Sequence, residues 1–420
     1  MKTITNSIYA AFGLFAFICL TAPRSTQAVN PPPDGGYPGF NTAEGQNALF
    51  SRTTGIANAA VGWHSLFSNT DGSFNTALGA GTLLFNVGDQ STGDGTQNTA
   101  IGAAALLSNT TGTLNTAVGA TALLSNNTGD FNTATGVGAL YSNTAGVSNN
   151  AFGTLALLSN TTGTNNNAMG VRALQNNTAG SANVAVGEQA LLGNTNASGN
   201  TAVGFQALFG NNGDTNTAIG YAALLNNTTG VGNTALGAGA GTNVTTAGGV
   251  LCLGHVGGNV SNTTWIGNVA GVTTQSFTTA PVIVSDGGQL GTVVSSERFK
   301  KDIASMDKTS EAILSLRPVT FHYKMDTNGT PQFGLIAEEV GKVNPALVLR
   351  DKDGKPYTVR YEAVNAMLLN EFLKEHRKVE ELEAALDAVT ARLKEQETQL
   401  QKVTAQIQMN KPARRVASKN

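Results

Sequence analysis

The sequence predicts a mainly β protein: a parallel β-solenoid of the β-roll kind, followed by a small α+β domain and a C-terminal coiled coil. Three observations carry that expectation. A five-residue phrase with Asn first, Ala third and Gly fifth recurs twelve times, its Asn residues standing at 41, 58, 75, 98, 115, 132, 149, 166, 183, 200, 216 and 233. The step is 17 residues, apart from one of 23 and one of 16. A fixed period of this length means stacked coils, each able to bury its apolar face only against its neighbours. The charge also changes character along the chain. Val29 to Val294 holds two basic residues (Arg52 and Arg172) against nine acidic ones, whereas Ser295 to Asn420 holds 21 against 18. Finally, apolar residues from Phe372 onward fall three and four apart, the spacing of a coiled-coil seam.

The elements follow in order. Lys2, an apolar run from Ile8 to Ala22 and small residues before Ala28 fit a secretory signal peptide covering residues 1–28. That run is too short to span a bilayer, so no membrane span is expected once the signal is removed. Cys19 follows Ile18 rather than a small residue, which argues against a lipid-anchored cysteine. Cys252 alone remains, and no intrachain disulfide is expected. Residues 29–40 form a Pro/Gly-rich lead-in, and 41–242 the repeat solenoid.

One repeat shows the coil. Asn115 to Gly119 makes a short extended stretch, and Gly119 supplies the backbone freedom that the corner needs. Ala122, Leu123 and Leu124 form an apolar turn expected to point inward. Leu123 belongs to a series eight places after the Asn in eleven of the twelve repeats. Asn126-Asn127-Thr128-Gly129 closes the coil with turn chemistry. Asn at one place in successive coils allows side-chain amides to stack in a ladder. After Gly241 the phrase decays through Trp265, and 243–294 is expected to be a capping coil and neck. Over 372–408 the seam holds Phe372, Val379, Leu386, Leu393, Leu400 and Ile407 at one place, with Leu382, Val389, Gln396 and Val403 at the other. Gln396 fits a register-setting polar residue. Residues 409–420 form a basic tail.

The other signals are structural. The dense Asn-x-Thr triplets are better read as turns than as glycan sites, and Gly237, Gly239 and Gly241 lack the Lys of a phosphate loop. His64, His255, His322 and His376 lack metal-ligand spacing, so no metal or cofactor is expected. Sparse basic residues argue against nucleic acid.

Two resemblances add to this. The repeats between about residues 40 and 270 resemble the head of trimeric autotransporter adhesins, which wind into a parallel β-roll in threes. The period here is longer, and its extra turn is expected to be helical. The basic C-terminus does not resemble that family's membrane-anchoring barrel segment. The stretch from Ser295 to Ile303 resembles the start of the C-terminal intramolecular chaperone of phage endosialidases and other tail spikes, serine peptidase family seventy-four, and four later landmarks follow in order. They are Leu316 to Lys324 as a β segment; Phe333 to Val340 with its Gly-x-x-Ala signature; Pro345 to Val348 as a strand; and Val359 to Leu369 as a helix entry. The resemblance covers 295–377. Ser296 stands where Asp is commoner in that family, and Glu338 where Gln is commoner.

That second resemblance implies Ser295 as nucleophile, Lys300 as its base and the Val294–Ser295 peptide as the scissile bond, in a single-turnover self-cleavage. A lysine with an ordinary pKa near 10.4 is almost wholly protonated at neutral pH, so a base in this place needs burial or neighbouring cations, for which Arg298 and Lys301 are candidates. Because an i, i+5 pair lies about 140° apart on a helix, Ser295 is expected in an extended lead-in, with Lys300 folding back from the first helical turns. Ser296 suits a helix N-cap.

The whole is expected to be a secreted or cell-surface homotrimeric fibre, bacterial or phage-like, whose C-terminal domain aligns three chains and then cuts itself off. A cell-surface or glycan ligand stays open. So do two alternatives: an ice- or surface-binding array built on Thr42, Thr76, Thr99 and their equivalents, and a solenoid glycosidase, which the singly scattered acids disfavour.

Overall fold

The computed structural model describes residues 37–270, 280–285, 288–351 and 353–410, so the expected signal peptide and basic tail lie outside the described residues. The chain divides into two compact units, Met1–Gln275 and Ser276–Asn420.

The first unit is a parallel β-solenoid of stacked coils. Each coil contributes one three-residue strand to a 14-stranded sheet whose order follows the sequence, from β1 (Thr42–Glu44) through β5 (Thr116–Val118) and β6 (Thr133–Thr135) to β13 (Leu251–Leu253) and β14 (Thr264–Ile266). Register is uniform, with Thr116 opposite Thr133 and Ala117 opposite Ala134. The 23-residue step leaves it intact, since Thr76 still faces Thr99. Its extra residues form a turn closed by an Asp89–Asp94 bridge. Pairing also outlasts the phrase, because a parallel ladder needs only backbone groups: Cys252 takes the place of Ala235, and Trp265 the place after that.

Alternation decides what lies inside. The central residue of each triplet points inward, and Ala100, Ala117, Ala134, Ala151 and Ala168 are fully buried. Small side chains fill this place and share one core with the recurring Leu; Leu66 to Leu208 in that series are also fully buried. Those leucines turn the chain in the left-handed region, Leu123 at φ 51° and Leu140 at φ 52°. That conformation costs about 1–2 kcal/mol for an L-residue. Complete burial of a leucine contributes about 1.5–3 kcal/mol, so the tight corner is affordable without glycine. Leu124, expected inside with Leu123, is instead half-buried. The turn is not helical, because its backbone N–H groups bond across coils, as from Leu123 to Ala139 O at 2.9 Å. Glycine is required at the other corner. Gly119 stands at φ 135°, and a Cβ there would lie 2.6 Å from Gly136 O.

Two ladders of buried Asn run along the solenoid. In the expected one, Asn132 N–H donates to Asn115 Oδ1 at 3.0 Å, and Asn132 Nδ2 donates to Gly146 O at 2.8 Å. The second runs through Asn126, Asn143, Asn160, Asn177 and Asn194, each Nδ2 donating to the preceding Oδ1 at 2.7–2.8 Å. The sequence suggested only turn chemistry there, although the signal, Asn eleven places after the first, was present.

The second unit begins with a short antiparallel pair, β15 (Ile283–Val284) with β16 (Leu290–Gly291). A hairpin follows, β17 (Val319–Phe321) with β18 (Gln332–Gly334). Helix α1 (Ala337–Val343), the pair β19 (Val348–Arg350) and β20 (Pro356–Val359), and helix α2 (Tyr361–Met409) complete it. Val340, Leu347, Val348, Val359 and Met367 form its core. Pro345-Ala-Leu347 is a 3-10 turn rather than the start of the expected strand. Pro345 stands at its first position, and the Asn344 side chain caps it by accepting from Ala346 N–H at 3.0 Å. Helix α2 runs unbroken from the chaperone segment through the heptads. Its seam is exposed in the single chain, with Phe372, Leu386 and Leu400 each 64–65% exposed.

Candidate self-processing site

Ser295 and Lys300 flank a single 3-10 turn, Glu297–Phe299. It is held by Phe299 N–H donating to Ser296 O at 3.0 Å and Lys300 N–H donating to Glu297 O at 2.9 Å. The chain is extended on both sides, at Ser296 (φ −64°, ψ 141°) and at Lys300 (φ −115°, ψ 151°). A one-turn reversal therefore returns the lysine toward the serine, and Lys300 Nζ donates to Ser295 Oγ at 3.2 Å. Lys300 stands just past the turn, not within a helix as expected, because the turn ends at Phe299. Ser296 occupies the N-cap place, but its side chain makes no capping hydrogen bond. Of the two candidate neighbouring cations, Arg298 lies with its guanidinium 4.6 Å from the Phe299 ring centroid. Val294, Ser295 and Lys300 are exposed in the single chain.

A second polar cluster was not foreseen. Ser310 is fully buried and donates to Glu371 Oε1 at 2.5 Å. It accepts from Asn370 Nδ2 at 2.6 Å, and Lys374 Nζ reaches Glu371 Oε1 at 2.7 Å. The Lys374 ammonium and the Ser310 hydroxyl hold the Glu371 carboxyl below the ordinary carboxylate value. Asn370, Glu371 and Lys374 share one helical face by spacing, but nothing local in the sequence pairs them with Ser310 some sixty residues earlier. This cluster ties the 3-10 segment Asp307–Ser315 to α2. Nearby, Arg317 forms a bidentate pair with Glu339, its nitrogens 2.6 and 3.1 Å from the two oxygens.

Three of the four histidines make structural contacts. His64 stacks 4.6 Å from Phe67 and has its pKa lowered by burial. His255 stacks 5.3 Å from Trp265, and His376 lies 3.6 Å from Glu380. No helix among the described residues is long and apolar enough to cross a membrane.

Fold and site together define a class: a long parallel β-solenoid followed in the chain by a second compact unit that carries a serine–lysine contact. Residues 295–349 match the family described as chaperone of endosialidase, a segment that starts at Ser295 and contains Lys300, Arg317 and Val340. The match agrees with the resemblance read from the sequence and covers 295–349 of the expected 295–377 segment. No curated protein matched the chain.

Proposed function

We propose that this protein is an exported homotrimeric fibre, tail-spike-like or adhesin-like, whose C-terminal domain aligns three chains and then releases itself by cleavage between Val294 and Ser295. The observation that carries the cleavage is the 3.2 Å contact between Lys300 Nζ and Ser295 Oγ at the start of the segment that matches a peptidase-related chaperone family. In the resting geometry the ammonium donates. Once the lysine has lost its proton, the same contact runs the other way, and the amine accepts the hydroxyl proton as Oγ attacks the Val294 carbonyl carbon. The C–N bond to Ser295 breaks, the proton passes to the departing nitrogen, and an ester links Val294 to Ser295 Oγ. Water opens the ester, leaving a Val294 carboxylate and a fragment that begins at Ser295.

Exposure of the pair in one chain fits a reaction that waits for assembly, since burial favours the neutral amine that the step needs. Alignment is the task left to the C-terminal unit. Chains slid by one 17-residue coil meet nearly the same contacts, so the solenoid sets its own register weakly, whereas the exposed seam of α2 brings copies together at one end. Export and an extracellular location rest on the N-terminal sequence.

Mass spectrometry of the expressed chain tests the cleavage. A fragment from Ser295 to Asn420 is expected; Ser295→Ala and Lys300→Ala should each leave a full-length chain, while Ser296→Ala still cuts. Unchanged processing of Ser295→Ala, or cleavage that needs an added protease, would overturn the proposal.

A further inference from the structure

The seam of α2 contains a position that departs from its pattern. One heptad place holds Phe372, Val379 and Leu386; the other, followed back from Val389 and Leu382 in seven-residue steps, falls on Glu375 and then on Leu368. Glu375 thus stands between Phe372 and Val379, where the heptads call for an apolar side chain. Its seam neighbours Leu368, Phe372, Val379 and Leu382 are exposed in the single chain. Glu375 is exposed with them, and among the described residues it makes no ion pair. The charged groups around it are arranged in two sets. Toward the 3-10 segment Asp307–Ser315, Lys374 Nζ is held between Glu371 Oε1 at 2.7 Å and Glu311 Oε1 at 3.7 Å. Flanking the seam are Glu371, His376, Lys378 and Glu383. His376 stacks on Phe372 with ring centroids 6.3 Å apart, and its Nε2 lies 3.6 Å from Glu380. Flanking residues of a parallel coiled coil pair across helices, and copies in register set Glu371 against His376, Lys378 against Glu383 and Arg392 against Glu397. Once His376 carries its proton, each of these pairs joins opposite charges.

We propose that Glu375 makes the start of this seam a clamp that acid tightens: its carboxylates oppose close packing of the copies at neutral pH and permit it once they take up protons. The inference rests on the trimer reading above and adds a control to the surface which that reading uses. Copies in register bring the Glu375 side chains into one layer between the Phe372 and Val379 layers. There the like charges repel, and loss of water penalises each of them as well. Protonation removes both penalties, and a neutral carboxyl can then donate a hydrogen bond to its neighbour. A group that binds protons more readily in the assembly than in the free chain strengthens the assembly as pH falls. His376 acts in the same direction, since an imidazole gains its proton in mild acid and then attracts Glu371 of the adjacent copy. Lys378 is the one cation beside the layer that would hold Glu375 ionised, and the Glu383 side chain that faces it across the helices offsets it. Glu371 acts in the opposite direction, but its depressed value confines that loss to stronger acid.

Hydrogen exchange of the full-length chain tests the clamp, in a Ser295→Ala background so that every molecule keeps α2. Light scattering on the same samples gives the number of copies. Protection of the amides from Phe372 to Leu386, corrected for the pH dependence of intrinsic exchange, should rise at least tenfold between pH 7.5 and pH 5, where Glu371 still holds its charge. Glu375→Gln places a neutral amide in the layer at both pH values. Its protection should already be high at pH 7.5 and should change by less than threefold, the part left to His376. A trimer whose protection is the same at both pH values, or a Glu375→Gln trimer that tightens as much as its parent, would overturn the clamp alone. A sample that scatters as a monomer at both pH values would instead overturn the trimer reading on which it rests.

Discussion

The second Asn ladder contains a fault whose energetic consequence can be measured. The coil beginning at Asn200 has 16 residues, one fewer than its neighbours. The residue is lost from the turn after Asn211, and Asn211 Nδ2 donates to its own turn, to Gly213 O at 2.7 Å, as its equivalents do, but not to the coil before. Asn194 Oδ1 is left buried with no partner among the described residues. Replacing Asn143 and Asn194 by Ala removes the same side-chain volume from equivalent, fully buried places, so the cavity contributions cancel in the comparison. In Asn143→Ala the partner Asn126 Oδ1 loses its donor at 2.7 Å, and Asn160 Nδ2 loses one of its two acceptors, at 2.8 Å, while keeping Gly163 O at 3.0 Å. In Asn194→Ala, Asn177 Oδ1 loses its donor at 2.8 Å, but the acceptor that was already unpaired disappears with the side chain. Both turn carbonyls stay bonded, Gly146 O to Asn132 and Ala197 O to Asn183. A buried N–H left without its acceptor costs about 1–3 kcal/mol, so Asn143→Ala should destabilise the solenoid by about that much more than Asn194→Ala. Denaturant unfolding of the two variants side by side gives the difference. Where unfolding does not reverse, their unfolding rates at one denaturant concentration serve instead. An equal or larger loss in Asn194→Ala would refute the ladder reasoning.

Three further outcomes follow from other parts of the molecule. Gly136→Ala should lose several times more stability in thermal unfolding than Gly232→Ala: Gly136 sits at φ 134° with its added Cβ 2.6 Å from Gly153 O, whereas Gly232, at φ 65°, has open space around that position. Acid should loosen α2 from the segment that carries Ser310. The Glu371 pKa is depressed in the folded chain, so its stabilisation is fully present above the ordinary value near 4.5 and is lost as pH falls through the lower folded value. Thermal unfolding at pH 6, 4 and 3 should show the decline, and Glu371→Gln should make it shallower. A chain ending at Val294 should aggregate or give misregistered species in size-exclusion chromatography, since it lacks the unit proposed to align copies; normal trimers from it would show that unit to be dispensable.

Repetition explains why so much of this fold was legible without coordinates. In a solenoid each contact recurs one period along the chain, so the spacing of Asn115, Ala117, Gly119 and Leu123 encodes strand, inner wall, corner and opposite wall at once. The heptads of α2 declare themselves for the same local reason, and the landmarks from Ser295 to Val348 were enough to place the chaperone segment. What the period could not convey was the choice between inward and outward at neighbouring positions. Leu123 and Leu124 are the same residue type, and only the left-handed backbone at Leu123 directs it inside. Packing between coils likewise turned Asn126 and its equivalents from turn formers into a second ladder.

Beyond the solenoid the contacts are not periodic, and the division between sequence and structure follows from that. By itself the sequence determined the coil, its inward-facing Ala and Leu, the glycine corners and the long terminal helix, all of them features written in residues a few places or one period apart. Tertiary structure alone decided that Ser310 meets Glu371, Asn370 and Lys374, that Arg317 meets Glu339, and that the 3-10 turn at Glu297–Phe299 brings Lys300 to Ser295 with both side chains in solvent. It also decided that one missing residue after Asn211 strands an oxygen on Asn194. A hydrogen bond depends on position to within tenths of an ångström, and outside a repeat no pattern in the chain carries that information.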